Sequence, residues 1–251
     1  MLLILKHLFR RVARRPSTIA TTLLATFLLI PLILYHLLAY LLANDPRLVS
    51  YTFRRASSIL FVTAHPDDES LFFSPTLLYR EDDPSVERAL LVLSSGLTRH
   101  VELQSACAVA GIRADRCVGL DHRELQDNPK KWWDEKLIAE VVAMYVRRWG
   151  VDLDRSKWEE PEIETETDAR LRFKIVTFDD GRITAALLTP FPRQDPATDI
   201  YGDHVLLVSP WGRYFQGRRT FREHSSQYSW DRGIYMVVNR YMWVNDLRRV
   251  S

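Results

Sequence analysis

His65, Asp67 and Asp68 fall between positions 65 and 68 of the stretch Ser57–Ser70, SSILFVTAHPDDES, and their types are those of a metal hydrolase. Neutral imidazole and carboxylate suit Zn²⁺ and neighbouring divalent metals, and a catalytic zinc usually has three protein ligands with a fourth position left for water. This stretch can supply two of them. His65 and one of the adjacent aspartates could bind the ion, leaving the other to accept a proton from the bound water, whose pKa a zinc lowers to about 7. Neighbouring residues in a turn point in different directions, so one can face a metal and the other a substrate. The alternative is an acidic helix N-terminus, which favours the helix dipole without doing chemistry.

The elements around these residues must present them at one edge of a sheet. Ile59, Leu60, Phe61 and Val62 form an uncharged β-type run, the pattern of a strand buried on both faces in a parallel sheet. Pro66 ends it, because proline cannot donate to a ladder and biases His65 toward an extended conformation. Asp67, Asp68 or Ser70 can then cap a helix entering at Leu71. The polar cluster is thereby placed at the carboxyl end of a strand, where open α/β sheets bind ligands.

Downstream, Ala89–Leu93 and Cys117–Leu120 read as further strands, and Val101–Gly111 as a helix that ends on a glycine suited to a C-cap. In Trp132–Trp149 the positions Leu137, Ile138, Val141, Val142 and Tyr145 make one apolar stripe, with Gly150 as terminator, so this is a helix facing a core. Phe173–Phe178 and His204–Ser209 resume as strands. The alternation predicts an α/β fold, a Rossmann-like, mostly parallel, doubly wound sheet with helices on both faces. No GxGxxG phosphate loop occurs, so a dinucleotide reading has no support.

The 251 residues suffice for one such domain plus an accessory segment, and the formal charge of +2 gives no argument for nucleic acid. Cys107 and Cys117 make no disulfide framework and no CxxC metal pair, and read as small core residues. Ile19–Leu42 carries no charged residue and is long enough to span a bilayer core of about 30 Å. It is a transmembrane helix candidate, and Pro31 inside it is tolerated in membranes. The expected organisation is a basic segment 1–18, a span 19–42, a linker 43–56 and an α/β domain 57–251. An acidic insertion near 154–170, with Glu159, Glu160, Glu162, Glu164, Glu166 and Asp168, is expected to stay solvated.

The residues VTAHPDDE resemble the signature of the zinc-dependent de-N-acetylases of the PIG-L/LmbE family. Further matches are Arg99-x-x-Glu102-Leu103 with Cys107 and Gly111-Ile112, then Leu120-Asp121, Glu124-Leu125-Gln126-Asp127-x-Pro129 and Trp133-Asp134. Thr177-Phe178-Asp179, His224-Ser225-x-Gln227, Arg240-Tyr241-Met242 and Asn245-x-Leu247 complete the set. The resemblance implies His65 and Asp68 as ligands of Zn²⁺, or of another divalent metal, and Asp67 as general base. It also implies Arg99 and Glu102 as substrate-orienting residues, a surface i, i+3 pair being the alternative for those two. The implied reaction is removal of the N-acetyl group of a phosphatidylinositol-linked N-acetylglucosamine in GPI-anchor synthesis. The implied partners are a glycolipid substrate and the bilayer, with no nucleic acid and protein partners unknown.

Two features depart from that pattern. Members continue after the ThrPheAsp strand with an HxNH block that supplies the third zinc ligand, whereas here no histidine occurs between Asp180 and His204. The third ligand is therefore unknown, His204 reads as a strand-edge residue, and His100 and His122 read as exposed. The alternative function is a catalytically impaired membrane-anchored homologue that acts by binding only. Five basic residues (Lys6, Arg10, Arg11, Arg14, Arg15) precede the span and three (Arg47, Arg54, Arg55) follow it. That bias favours a lumenal domain, while the resemblance implies a single-pass protein of the endoplasmic reticulum membrane with its catalytic domain on the cytosolic face. The resemblance carries the localisation.

Overall fold

The computed structural model describes residues 16–94, 97–128, 132–151, 153–154, 158–159 and 204–249. The chain divides into two compact units, one ending at Leu41 and the other beginning at Leu42. In the first, α1 (Pro16–His36) carries Pro31 inside it and passes directly into a π-helical turn, Leu37–Leu41. Ile19–Leu41 is long and apolar enough to cross a membrane, with a mean hydropathy of 2.1 over its best window.

In the second unit Ser50 caps α2 (Tyr51–Arg55) by accepting the Phe53 N–H, and the chain enters β1 (Ser58–Thr63). Ile59, Leu60 and Phe61 are buried, as expected for a strand covered on both faces, and each such side chain contributes about 1.5–3 kcal/mol of transfer free energy. Two short helices, α3 (Asp68–Leu71) and α4 (Ser74–Leu77), lead to β2 (Glu87–Val92). Then come α5 (Leu97–Val109), β3 (Cys117–Gly119), α6 (Glu135–Trp149) and the two-residue β4 (Leu153–Asp154). The four strands are parallel in the order β3-β2-β1-β4. Strand order reverses at β1, so its carboxyl end lies at a topological switch point.

Alternate residues of the sheet serve opposite helices. Leu60, Ala89 and Leu91 pack with Val142, Tyr145 and Trp149 of α6, so the predicted stripe is a core face. On the other face Cys117, opposite Leu90 in the register, is joined to Cys107 of α5 by a disulfide. This corrects the expectation of two separate small core residues. The pairing is tertiary: the strand and the helix bring together two side chains that no local spacing marks as partners. The expected boundaries hold within a few residues. Helix α6 starts at Glu135 instead of Trp132 because the Asp134 side chain accepts the Lys136 N–H, and Gly150 ends it at φ 59°.

The remaining elements are β5 (Trp158–Glu159), β6 (His204–Val208), α7 (Trp211–Arg222), α8 (Trp230–Val238) and β7 (Val244–Arg249). Strands β5, β7 and β6 form a separate antiparallel sheet. The expected strand at His204 is therefore present but belongs to this second sheet. Trp158 and Glu159, expected within a solvated insertion, pair with Arg249 and Arg248. The rest of that insertion, the strand expected at 173–178 and the basic segment before residue 16 lie outside the described residues.

Candidate active site

The loop from β1 into α3 is built by its own polar groups. Asp68 Oδ2 accepts the His65 backbone N–H at 2.9 Å and lies 3.5 Å from His65 Nδ1. The imidazole and this carboxylate therefore converge on one side, and both are partly exposed. Helix α3 begins at Asp68, three residues earlier than expected. Asp67 occupies its N-cap position at φ 112°, in the left-handed region, and its side chain makes no capping bond. Two neighbours hold that backbone: the Asp67 N–H donates to Glu69 Oε2 at 2.9 Å, and Ser70 Oγ donates to the Asp67 carbonyl at 3.0 Å. The carboxylate that would otherwise cap the helix is left for chemistry.

Glu69 is in turn pinned from the far end of the chain. Its Oε1 lies 2.7 Å from His224 Nε2, and both side chains are almost wholly buried. The next two residues, Ser225 and Ser226, engage Glu102 of α5 through both hydroxyls and the Ser226 N–H, at 2.7–2.8 Å. Glu102 thus ties α5 to the His224 segment, and it does not meet Arg99 as an i, i+3 pair.

Arg99 turns toward the site. Its Nη1 is 3.6 Å from Asp127 Oδ2, while Asp127 Oδ1 lies 3.3 Å from His65 Nε2. Residues 65, 99 and 127 follow the carboxyl ends of β1, β2 and β3 respectively, so three neighbouring strands deliver one cluster. Trp133, whose indole N–H donates to the Gln126 carbonyl, sets its ring 5.9 Å from that of His65. His100 and His122 are exposed, as expected. A cavity of about 820 Å³, lined by Arg54, Arg80 and Arg213 among others, includes none of these groups.

The electrostatics separate the two aspartates. Burial, reinforced by the charges of Asp68 and Glu69, pushes Asp67 up to about 6, against the opposing pull of His224 and Arg232. A carboxyl poised there can take and return a proton near neutral pH. His65 is raised, first by its hydrogen bond to Asp68, with burial opposing and the charges of Asp68, Asp127 and Asp67 adding to it. For His224 burial acts downward, but the hydrogen bond and charge of Glu69, with Asp67 and Glu102, raise it.

As a donor set for a divalent ion, His65 and Asp68 fit: one imidazole and one carboxylate, adjacent and partly open. Among the described residues no group of three His, Cys, Asp or Glu side chains is arranged to hold a metal, so the third ligand stays unassigned.

Residues 60–153 match the PIG-L family profile, described as GlcNAc-PI de-N-acetylase. This stretch is similar to the PIG-L family. The matched segment contains His65, Asp67, Asp68, Arg99, Glu102 and Asp127. The chain is 27% identical over 233 residues to the N-acetylglucosaminyl-phosphatidylinositol de-N-acetylase of Bos taurus, covering 76% of this chain and 83% of that protein. It is 34% identical over 100 residues to a Schizosaccharomyces pombe protein named probable N-acetylglucosaminyl-phosphatidylinositol de-N-acetylase, spanning 38% of this chain and 40% of that one. A Dictyostelium discoideum protein of the same name is 30% identical over 101 residues. The fold resembles the solved N,N'-diacetylchitobiose deacetylase from Pyrococcus horikoshii, with a TM-score of 0.51 and 14% identity, covering 85% of this chain and 90% of that one.

Asp127, Trp133, Glu69 and His224 were not singled out as site residues from sequence. Each nevertheless stands in a motif that was: Asp127 and Trp133 in the run after Leu120, Glu69 at the end of AHPDDE, and His224 in HxSQ. The missing information was which motif faces which, and only the fold supplies it.

Proposed function

We propose that this chain hydrolyses the N-acetyl group of N-acetylglucosaminyl-phosphatidylinositol, giving glucosaminyl-phosphatidylinositol and acetate, the second step of GPI-anchor synthesis. The reading is carried by Asp67: an acid with its pKa near 6 beside a converged His65–Asp68 pair, in a chain similar to a named de-N-acetylase along most of its length.

His65 and Asp68 would hold a Zn²⁺ ion, or another divalent metal, which when bound supplies a Lewis acid and a water of lowered pKa. Asp67 accepts the proton of the attacking water as its oxygen bonds to the acetyl carbon. It then returns that proton to the amine nitrogen as the amide C–N bond breaks, so one carboxyl serves both halves of the reaction. Such general acid–base catalysis contributes about 10²–10⁴-fold. Glu69 and His224 keep the Asp67 backbone in the conformation that aims its side chain, and Asp127 steadies His65. Arg99, partly exposed beside Asp127, offers donors to sugar hydroxyls, and Glu102 acts through the segment it grips. Helix α1 anchors the chain in the endoplasmic reticulum membrane as a single-pass protein, with the α/β unit on the cytosolic face, where a lipid-borne sugar is within reach.

The test is to supply the full chain and Zn²⁺ with vesicles containing N-acetylglucosaminyl-phosphatidylinositol and to follow the free-amine product by mass spectrometry. Conversion is expected. Absence of the amine at saturating metal would overturn the reading.

A further inference from the structure

Helix α8 turns an apolar stripe outward. Trp230, Ile234, Val237 and Val238 are 80, 55, 50 and 52% exposed, and their spacing places all four within one arc of the helix. The opposite side is fixed in the core. Met236 is buried with Leu71, Tyr214, Phe221 and Met242, the Tyr235 ring packs edge-on against Phe72, and Tyr214 Oη donates to the Met236 carbonyl. The stripe is therefore held outward by packing on its other face. Apolar residues scattered singly over a surface need no explanation, but a contiguous patch on one element does.

The patch is joined to the candidate site. Asn239, which follows α8, donates through Nδ2 to the Leu71 carbonyl at 3.0 Å, and Leu71 ends the helix that Asp68 begins. Whatever covers the stripe therefore lies on a surface that α3 links to the reacting groups.

We propose that the Trp230–Val238 face of α8 inserts shallowly into the surface of a lipid bilayer. A bilayer is the occupant the rest of the chain favours, because Ile19–Leu41 is apolar enough to cross one and so keeps that surface within reach. The chemistry of α8 matches it. Tryptophan favours the headgroup level of a membrane, and an amphipathic helix with one apolar face lies in the interfacial plane. The one acid on the helix, Asp231, lies at a border of the arc, where its charge stays in water. The inference rests on the membrane reading of Ile19–Leu41 and is independent of whether acetate is released.

The test places a nitroxide on the full chain through Ile234→Cys, and in a second preparation through Val237→Cys. Cys107 and Cys117 are bonded to each other, so the introduced thiol takes the label. Each protein is reconstituted in phosphatidylcholine vesicles containing a minor share of phosphatidylinositol. Collision of the nitroxide with oxygen and with an aqueous nickel chelate is then measured by paramagnetic resonance, with Asp115→Cys as an exposed reference. The oxygen-to-nickel ratio at 234 and 237 is expected to exceed that at 115 several-fold in vesicles. Equal ratios at all three positions would overturn the proposal. Shielding from both reagents, in vesicles and in detergent alike, would also overturn it by showing that protein covers the stripe: a second copy of the chain or another partner.

Discussion

Asp67 combines a left-handed backbone with a buried carboxyl, two features that cost stability and that the proposed function turns to reactivity. Its folded pKa of about 6 stands above its ordinary 3.8, so between those values the folded chain holds a proton that the unfolded chain has released. Its contribution to stability is full below 3.8 and is lost as pH rises through about 6. Asparagine cannot ionise and tolerates positive φ. Metal-free Asp67→Asn is therefore expected to melt above the parent at pH 7.5, with the gap closing by pH 4; thermal denaturation at both pH values checks this. The Glu69–His224 pair behaves oppositely. Removing one partner from a buried ion pair costs about 3–5 kcal/mol, so Glu69→Ala is expected to lower the urea midpoint sharply and to release the Asp67 N–H as well. At this scale His65, Asp67 and Asp68 were legible as a candidate site, because residue types and adjacency are visible in the sequence itself. Asp127 and His224 were not assigned roles, because their meaning comes from partners 62 and 155 residues away in sequence.

The elements that position these residues are legible where their signals are local. The uncharged run of β1, the stripe of α6 and the glycine at 150 each mark a structure formed within a few turns of chain. The short helices α3 and α4 and the antiparallel sheet β5-β7-β6 depend on distant partners. Asn245 of β7, for example, accepts from the Thr76 N–H and hydroxyl and donates to the Phe72 carbonyl. The disulfide between α5 and β3 was missed for the same reason. Close packing of α7 on α4 gives this scale its own test. A Cβ added at Gly217 would sit 1.9 Å from Ser74 Oγ and 3.1 Å from Ser74 Cβ, and such overpacking costs about 1–3 kcal/mol. Gly217→Ala is expected to lower the urea midpoint, and combining it with Ser74→Gly to restore most of the loss, because both clashing atoms are then gone.

Across the whole molecule, a parallel sheet brings loops from three strands to one edge, and the chain also carries an apolar helix fit for a bilayer. The doubly wound order and the similarity to the PIG-L family were both legible before any coordinates, through alternation of elements and through AHPDDE. The third metal ligand was not, and among the described residues no group completes the set. The account stands on Asp67 handling the proton in an amide hydrolysis. The direct measurement is acetate release from N-acetylglucosaminyl-phosphatidylinositol labelled in its acetyl group, comparing the parent with Asp67→Asn at saturating Zn²⁺. Release by the parent and a loss of about 10²–10⁴-fold in the variant are predicted; equal rates in the two proteins would contradict the account.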